Sequence, residues 1–157
     1  AHVNRARGLA AEGLTETRRA VGALRGDTLP VTRLLAELAR THEADTGTPV
    51  AWVQGGVQRP LAPDVALALY RTGQEALSNA RKHAPGAEVR VELDYRQDEV
   101  VLTVTDHPAG APVNPPLAAS GGGYGLTGLR ERAELAGGGL SAGPEGGGWM
   151  LRLRLPA

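Results

Sequence analysis

The chain has 157 residues, of which 41% are hydrophobic and 22% charged, a composition typical of one globular domain with or without a helical extension. Seventeen basic and seventeen acidic residues cancel, which argues against nucleic acid or an anionic membrane as a partner. Cysteine is absent, which excludes disulfides and thiolate metal sites, and no apolar run approaches the ~20 residues that span a bilayer. Because no signal peptide is recognisable, we expect a cytoplasmic segment without direct membrane contact, belonging to a longer protein that is either free or membrane-anchored.

Two helices are predicted in the first third of the chain. Residues 3–24 lack proline, are rich in helix formers and carry an incomplete apolar stripe of the kind that packs against a partner helix. Residues 31–43 are predicted to form the second helix, and residues 45–49 a turn. The two apolar stripes consist of Leu9, Leu14, Val21 and Leu24 in the first helix, and of Leu34, Leu35, Leu38 and Ala39 in the second.

A strand, a long helix and a hairpin are predicted in the middle of the chain. Residues 50–56 read as a strand, and Asp64 is a plausible N-cap for a helix over residues 65–83. Residues 88–95 and 99–106 alternate apolar and polar side chains and are separated by a short turn. This pattern predicts a hairpin of two half-buried strands.

The last third begins with a long loop. Residues 107–123 are rich in proline, glycine and alanine, which is typical of a functional lid or a disordered link. Residues 124–138 are predicted to be a helix, and residues 140–142 and 149–155 a closing hairpin. The order of elements predicts an α+β fold, a two-layer sandwich with a mixed, mostly antiparallel sheet against helices. Its core must consist of Leu, Val and Ala, since Phe is absent.

One face of the predicted helix over residues 65–83 collects four polar side chains. Glu75, Asn79, Lys82 and His83 lie at positions i, i+4, i+7 and i+8. An amide oxygen suits Mg²⁺, a cation neutralises phosphate, and a carboxylate can orient or deprotonate a nucleophile. By spacing alone, an ordinary exposed polar face fits equally well. The opposite, core-facing side consists of Leu69, Gly73, Ala76, Leu77 and Ala80.

Two further segments are candidates for ligand contact. In "GGGYGLTGLR" (121–130), glycines directly before a helix allow backbone N–H groups to approach an anion, although a flexible connector is the alternative. The stretch matches neither the P-loop nor the dinucleotide-binding fingerprint. In "TDHPAG" (105–110), Asp106 at a strand end can accept a hydrogen bond from an exocyclic amine such as that of adenine, and Gly110 permits close approach. A plain turn is the alternative.

The order and spacing of these segments resemble the ATP-binding catalytic domain of two-component sensor histidine kinases, whose Bergerat (GHKL) fold is shared with gyrase and MutL. "QEALSNARKHA" (74–84) resembles the N box, "DHPAG" (106–110) the first glycine box and "GGGYGLTGLRERAELAGG" (121–138) the second. The resemblance covers about residues 50–156. The short lid and the segment "GLTGLRERAEL" are similar to those of the subfamily that signals to LuxR/NarL-type response regulators with helix-turn-helix output domains.

The resemblance also implies a domain organisation. Residues 1–26 are similar to the second helix of the subfamily's dimerisation hairpin, and residues 27–157 would form the catalytic domain, so the full-length protein is expected to be a homodimer. The first hairpin helix, with the phosphoacceptor histidine, is not recognised. His2 and His42 are interpreted as ordinary surface histidines.

Roles for individual residues follow from the resemblance only. Asn79 would bind the Mg²⁺ that bridges the phosphates of ATP, Glu75 would polarise the attacking histidine or a water, and Lys82 and His83 would lie near the phosphates. Asp106 would receive the adenine amine. The γ-phosphoryl group would pass to a histidine and then to a response-regulator aspartate. The nucleotide cleft would be shaped by Gly110, Gly123, Tyr124, Gly125 and Leu126, with Thr105 and Leu126 lining the adenine pocket.

Two positions depart from the family pattern. Pro108 stands where the first glycine of Asp-x-Gly-x-Gly is usual, and proline fixes φ near −65° and lacks an N–H donor. Trp149 stands where many relatives carry a threonine that helps to hold the adenine-binding aspartate through a water. Two alternative functions therefore stay open: a degenerate, nucleotide-blind binding module, and a serine kinase of the anti-sigma-factor type with the same fold.

Overall fold

The computed structural model describes residues 30–108 and 123–157, where it contains three helices and five strands. The predicted N-terminal helix, the proposed domain boundary after residue 26 and Gly110 lie outside this range, and so does most of the predicted lid. The helices are α1 (Val31–Thr46), α2 (Pro63–His83) and α3 (Gly123–Leu135), and the strands are β1 (Val50–Gly56), β2 (Glu88–Tyr95), β3 (Glu99–His107), β4 (Gly139–Glu145) and β5 (Gly148–Pro156).

The strands form one sheet in the order β1-β2-β3-β5-β4. β1 pairs with β2 in parallel, and the three other pairings are antiparallel. The parallel pair is connected through α2, as a crossover between parallel strands requires. The predicted mixed, mostly antiparallel sheet is therefore confirmed. The glycine-rich helix α3 is not part of the parallel β1-α2-β2 unit.

The core lies between the sheet and one layer of helices. Alternate residues of the central strands are buried, as the period of two in the sequence predicts. Among the described residues, Tyr70 and Tyr95 are the only aromatic side chains that are fully buried, so Leu, Val and Ala build this core, as expected. No helix in this part of the chain is long and apolar enough to cross a bilayer.

Helix α2 is the middle helix of the layer and packs against α1 on one side and α3 on the other. Gly73 permits close contact with α1, because a Cβ there would stand 2.7 Å from Leu35 Cδ2. The predicted core face is confirmed: Leu69, Gly73, Ala76, Leu77 and Ala80 are all buried.

The start of α2 corrects one prediction. Asp64 is not the N-cap; Ala62 occupies that position and Pro63 is the first helical residue. Proline suits the first position because its φ is already helical and its missing N–H would have had no partner there. Asp64 instead lies in the first turn, where its negative charge interacts favourably with the helix dipole.

Helix α1 extends three residues beyond its predicted end and stops at Gly47, which has a φ of 69°. The interpretation of His42 as a surface histidine is wrong, because its side chain is only 6% exposed. His42 follows Leu35 and Ala39 on the same stripe of the helix and so faces the core. Burial lowers the pKa of His42, nearby Arg81 lowers it further, and Asp45 acts in the opposite direction.

Candidate functional site

Asp106 lies near the end of β3 on the face of the sheet that the helices cover. The register places it between Val89 of β2 and Trp149 of β5. The residue is 7% exposed, and its Oδ1 accepts a hydrogen bond of 3.2 Å from the backbone N–H of Trp149. Burial raises the pKa of the Asp106 carboxyl, whereas the Trp149 N–H and the nearby His107 lower it. No described residue donates to Oδ2, which leaves one carboxylate oxygen for a ligand.

The strand next to Asp106 approaches unusually closely. A Cβ at Gly148 would stand 1.8 Å from the Asp106 carbonyl oxygen, so a side chain is excluded at that position. This close approach presents the following N–H, that of Trp149, to the carboxylate. The departure from threonine at position 149 therefore does not leave the carboxylate unsupported, since the main chain holds it directly.

Helix α2 carries the predicted polar face toward the same end of the sheet. It leads through residues 84–87 into β2, whose second residue pairs with Asp106. Glu75, Asn79 and His83 are half-buried on this helix, and Lys82 is exposed in its last turn. The polar face is therefore partly buried at Glu75, Asn79 and His83 and exposed at Lys82.

Among the described residues, His83 contains the one fully buried side-chain nitrogen or oxygen atom that has no hydrogen-bond partner. Its Nε2 is buried and has no hydrogen-bond partner among the described residues. A buried polar nitrogen without a partner is costly, so a ligand group that bonds to it would be stabilised. The neighbouring Arg81 is already engaged, because it pairs with Asp45 at 3.1 Å.

Helix α3 begins in the second glycine-rich segment, against the polar face of α2. A Cβ at Gly125 would stand 2.4 Å from Oε1 and 2.7 Å from Cδ of Glu75. A side chain at position 125 would therefore require the Glu75 carboxylate to move. Leu126, the next residue, is partly buried and packs on the core. The helix ends at Leu135, three residues earlier than predicted, and the glycines that follow include Gly137 with a φ of 80°.

Some predicted contacts are tested and others are not. Thr105 pairs across the sheet with Arg90 and Met150, and alternation along β3 places it on the face opposite Asp106. The prediction that it lines the adenine pocket is therefore wrong. Gly123 and Tyr124 belong to the first turn of α3. Pro108 is partly buried and immediately precedes the undescribed stretch, so its effect on the loop stays a prediction.

Reasoning from sequence missed the contribution of the main chain at Trp149. The residue attracted notice only because its side chain departs from a pattern, whereas the structure uses its N–H group. The contact between Trp149 and Asp106 depends on the register in which β5 pairs with β3. The predicted hairpins could have indicated the contact only if this register had been known. Side-chain chemistry alone carries no signal for it.

The family model for histidine kinase-, DNA gyrase B- and HSP90-like ATPases matches residues 64–157, more than half of the chain. The chain belongs to this family. The signal transduction histidine-protein kinase/phosphatase DegS of Bacillus subtilis is 32% identical over 97 residues, which cover 61% of this chain and 25% of DegS. The sensor protein VraS of Staphylococcus haemolyticus is 43% identical over 65 residues, which cover 41% of this chain and 18% of VraS. The chain thus matches only about a quarter or less of the length of these relatives.

The fold is also similar to that of solved histidine kinases. The histidine kinase domain of the blue-light-activated kinase EL346 from Erythrobacter litoralis aligns with a TM-score of 0.63 over 82% of this chain and 62% of that domain, at 18% identity. The two-layer α+β fold and the assignment to a histidine-kinase-type ATPase catalytic domain are confirmed.

Proposed function

We propose that this chain is the ATP-binding catalytic segment of a sensor histidine kinase and transfers the γ-phosphoryl group of ATP to a histidine. One observation carries the proposal: a buried carboxylate, Asp106, is held by the Trp149 N–H and keeps one oxygen without a partner in the described chain. This is the arrangement needed to accept a hydrogen bond from the amine of adenine. The family match supplies the nucleotide as the ligand.

The residues present fit ATP at both ends of the cleft. Asp106 would select the adenine amine, and the unpartnered Nε2 of His83 would gain a polar partner. Gly125, which has no side chain, would admit phosphate oxygens to the backbone N–H groups of the first turn of α3. Lys82, exposed in the last turn of α2, can extend its ammonium toward the phosphates.

Asn79 is the residue we assign to Mg²⁺. Within residues 30–108 and 123–157, no three His, Cys, Asp or Glu side chains group as a metal site. An amide oxygen together with substrate phosphates and waters is a usual Mg²⁺ environment, so such a cage is not needed. When bound, Mg²⁺ would supply charge neutralisation on the phosphates.

The contribution of the protein to the reaction would be positioning and charge placement. Glu75, half-buried one turn before Asn79, would orient the attacking imidazole or accept its proton. Asp106 would fix the adenine end, and Lys82 and His83 would lie near the phosphates, so that the γ-phosphoryl group lies within reach of that nucleophile. Phosphoryl transfer depends mainly on such alignment, because little covalent chemistry is left to the protein.

The biological context belongs to the same proposal. As the subfamily resemblance of the sequence implies, the next acceptor would be the aspartate of a response regulator with a helix-turn-helix output domain, and the match to a signal transduction histidine kinase is in keeping with this. Residues 1–26 would contribute to a homodimer of the full-length protein. We propose a cytoplasmic location for this segment, in a parent protein that is either free or membrane-anchored, and no interaction with nucleic acid.

A nucleotide-blind binding module is the second candidate, and Pro108 is the observation that favours it. The anti-sigma type of serine kinase has no comparable support, because the two relatives described above are sensor proteins, one of them named as a histidine kinase.

Calorimetric titration with ADP and ATP, each with and without Mg²⁺, tests the proposal. We expect the parent chain to bind the nucleotides with micromolar affinity. Asp106→Asn should weaken this binding at least about 100-fold, because the side-chain amide presents to the adenine amine either its NH₂ group or an oxygen that is a weaker acceptor. Asp98→Asn, in the exposed turn between β2 and β3, is the matched control and should bind like the parent chain. Equal binding by the parent chain and Asp106→Asn would refute the assignment of the adenine site.

A further inference from the structure

The side chain of Trp149 lies next to the Asp106 carboxylate on the helix-covered face of the sheet. Asp106 and Trp149 pair directly across β3 and β5, and the side chains of such a pair point to the same face. Alternation along β5 agrees with this, because Leu151 and Leu153 follow on the same face and are buried in the core. A ligand that reaches Asp106 therefore also meets the indole of Trp149.

The described fold makes little use of this indole. Trp149 is partly buried, but it is not one of the described side chains that pack on the hydrophobic core, whereas Trp52 of β1 is. Its Nε1–H group forms no hydrogen bond with any described residue. Part of a large aromatic surface is thus open beside a buried carboxylate, and covering it with a flat apolar ligand would stabilise the complex.

The carboxylate of Asp106 by itself does not select one nucleotide base. Its oxygen accepts a hydrogen bond from an exocyclic amine, and both adenine and cytosine carry such an amine. An aromatic side chain distinguishes the two by area, because a two-ring purine covers more of the indole than a one-ring pyrimidine does. Contacts between bases and aromatic side chains are strong enough for this, since removing the aromatic group weakens binding by roughly 5- to 150-fold.

We propose that the indole of Trp149 forms an aromatic wall of the base site and selects purines over pyrimidines, while Asp106 selects the amine. The inference rests on the proposed function and adds to it the residue that sets the size of the base. Trp149 would have two separate roles: its backbone N–H holds the carboxylate, and its side chain contacts the base. Because the first role needs no particular side chain, substitution at position 149 removes only the second.

Calorimetric titration of the parent chain and of Trp149→Ala with ADP and CDP tests the proposal. Trp149→Ala should weaken ADP binding by roughly 5- to 100-fold and CDP binding by less, so that the preference for ADP falls. Trp149→Phe keeps an aromatic ring and should restore most of this preference. The Tm of Trp149→Ala without nucleotide should change little, because the indole does not pack on the described core.

Fluorescence gives an independent readout, because the chain contains two tryptophans. Trp52 packs on the core from β1, and β2 separates that strand from β3. In Trp52→Phe, Trp149 is the remaining tryptophan, and adenosine should change its emission with the half-saturation that calorimetry gives. In Trp149→Phe, Trp52 is the remaining tryptophan, and its emission should not respond to adenosine. Trp52→Phe should bind ADP like the parent chain.

The outcomes separate this inference from the proposed function. If the parent chain binds ADP and Trp149→Ala prefers ADP to CDP as strongly as the parent does, the aromatic wall is refuted and nucleotide binding stands. A loss of ADP affinity that Trp149→Phe does not restore also refutes it, as does a silent Trp149 in Trp52→Phe. If neither ADP nor adenosine binds to any variant, including Pro108→Gly, the proposed function and the inference both fail.

Discussion

The backbone N–H of Trp149 donates a 3.2 Å hydrogen bond to Oδ1 of Asp106 and links the last strand of the sheet to the carboxylate at the centre of the proposed adenine site. Because the donor is a main-chain group, the bond does not depend on which side chain occupies position 149. Adenine specificity can thus persist in this chain although tryptophan replaces the threonine typical of the family. The close approach of Gly148 to β3 is what makes the contact possible.

The first prediction concerns the cost of burying Asp106. Burial raises the pKa of this carboxyl in the folded chain from its ordinary value of 3.8. The protonated carboxyl therefore stabilises the folded chain below pH 3.8, and this contribution is lost as pH rises through the folded-state pKa. We therefore expect Asp106→Asn, although defective in nucleotide binding, to have a Tm at pH 7 equal to or above that of the parent chain. Thermal unfolding of both proteins without nucleotide measures this difference.

The same experiment has a clear opposite result. A Tm of Asp106→Asn well below that of the parent chain at pH 7 would mean that the ionised carboxylate stabilises the fold through its bond to Trp149. In that case the loss of nucleotide binding would reflect a damaged sheet end, and Asp98→Asn would be expected to show no change in Tm.

The second prediction concerns Pro108. Glycine, which the family pattern has at this position of the first glycine box, restores an N–H donor and removes the restriction that proline places on φ. We expect Pro108→Gly to tighten ATP binding by about tenfold, the gain from roughly one additional hydrogen bond to a charged or polar ligand group. Calorimetry with ATP measures the effect.

Pro60→Gly is the matched control for Pro108→Gly, because Pro60 is exposed in the loop between β1 and α2. That variant should leave the affinity for ATP unchanged. Unchanged affinity in Pro108→Gly as well would show that this loop binds the nucleotide without the usual glycine.

The third prediction concerns the pH dependence of stability. The pKa of His42 is lowered from 6.5 in the folded chain by burial first and then by Arg81, with Asp45 opposing them. The unfolded chain therefore binds more protons at this group, so the stability that the neutral imidazole contributes is present above pH 6.5 and declines below it. We expect urea midpoints to fall as pH decreases from 7.5 to 5.5.

Replacement of His42 distinguishes this group from others that titrate in the same range. His42→Leu keeps an apolar side chain on the buried stripe of α1 and should flatten the decline between pH 7.5 and 5.5. His107→Gln, at an exposed position at the end of β3, should retain it. An undiminished decline in His42→Leu would assign the pH dependence to another group.

The fourth prediction contrasts two helical glycines. A methyl group at Gly73 would stand 2.7 Å from Leu35 Cδ2, and Leu35 is itself only 1% exposed and has little room to move. We expect Gly73→Ala to destabilise the chain by ~1–3 kcal/mol through overpacking, in spite of the higher helix propensity of alanine. A Cβ at Gly128 meets nothing within 4 Å, so Gly128→Ala should stabilise by ~0.5–1 kcal/mol.

Urea unfolding of these two variants measures both values. A gain in stability at both positions would show that α1 and α2 can separate slightly without cost. In that case their contact would be looser than the position of Leu35 indicates.

The positions of the elements were predictable because their signals are local. Alternation in β2 and β3 and the small-residue face of α2 repeat over neighbouring residues, and the structure has these elements within two residues of the predicted bounds. The polar face of α2 and the glycine-rich start of α3 were also predictable as chemistry, because residue types and spacing suffice to suggest an anion and metal site.

Other features depend on contacts between distant parts of the chain. The burial of His42 follows from the docking of α1 on α2, and the bond between Asp106 and Trp149 follows from the register of β3 and β5. The approach of Glu75 to Gly125 follows from the packing of α2 against α3. Local sequence patterns specify which elements form and which chemical groups they carry. Which of these groups meet depends on the packing of the elements, because packing and strand register join residues that no local periodicity relates.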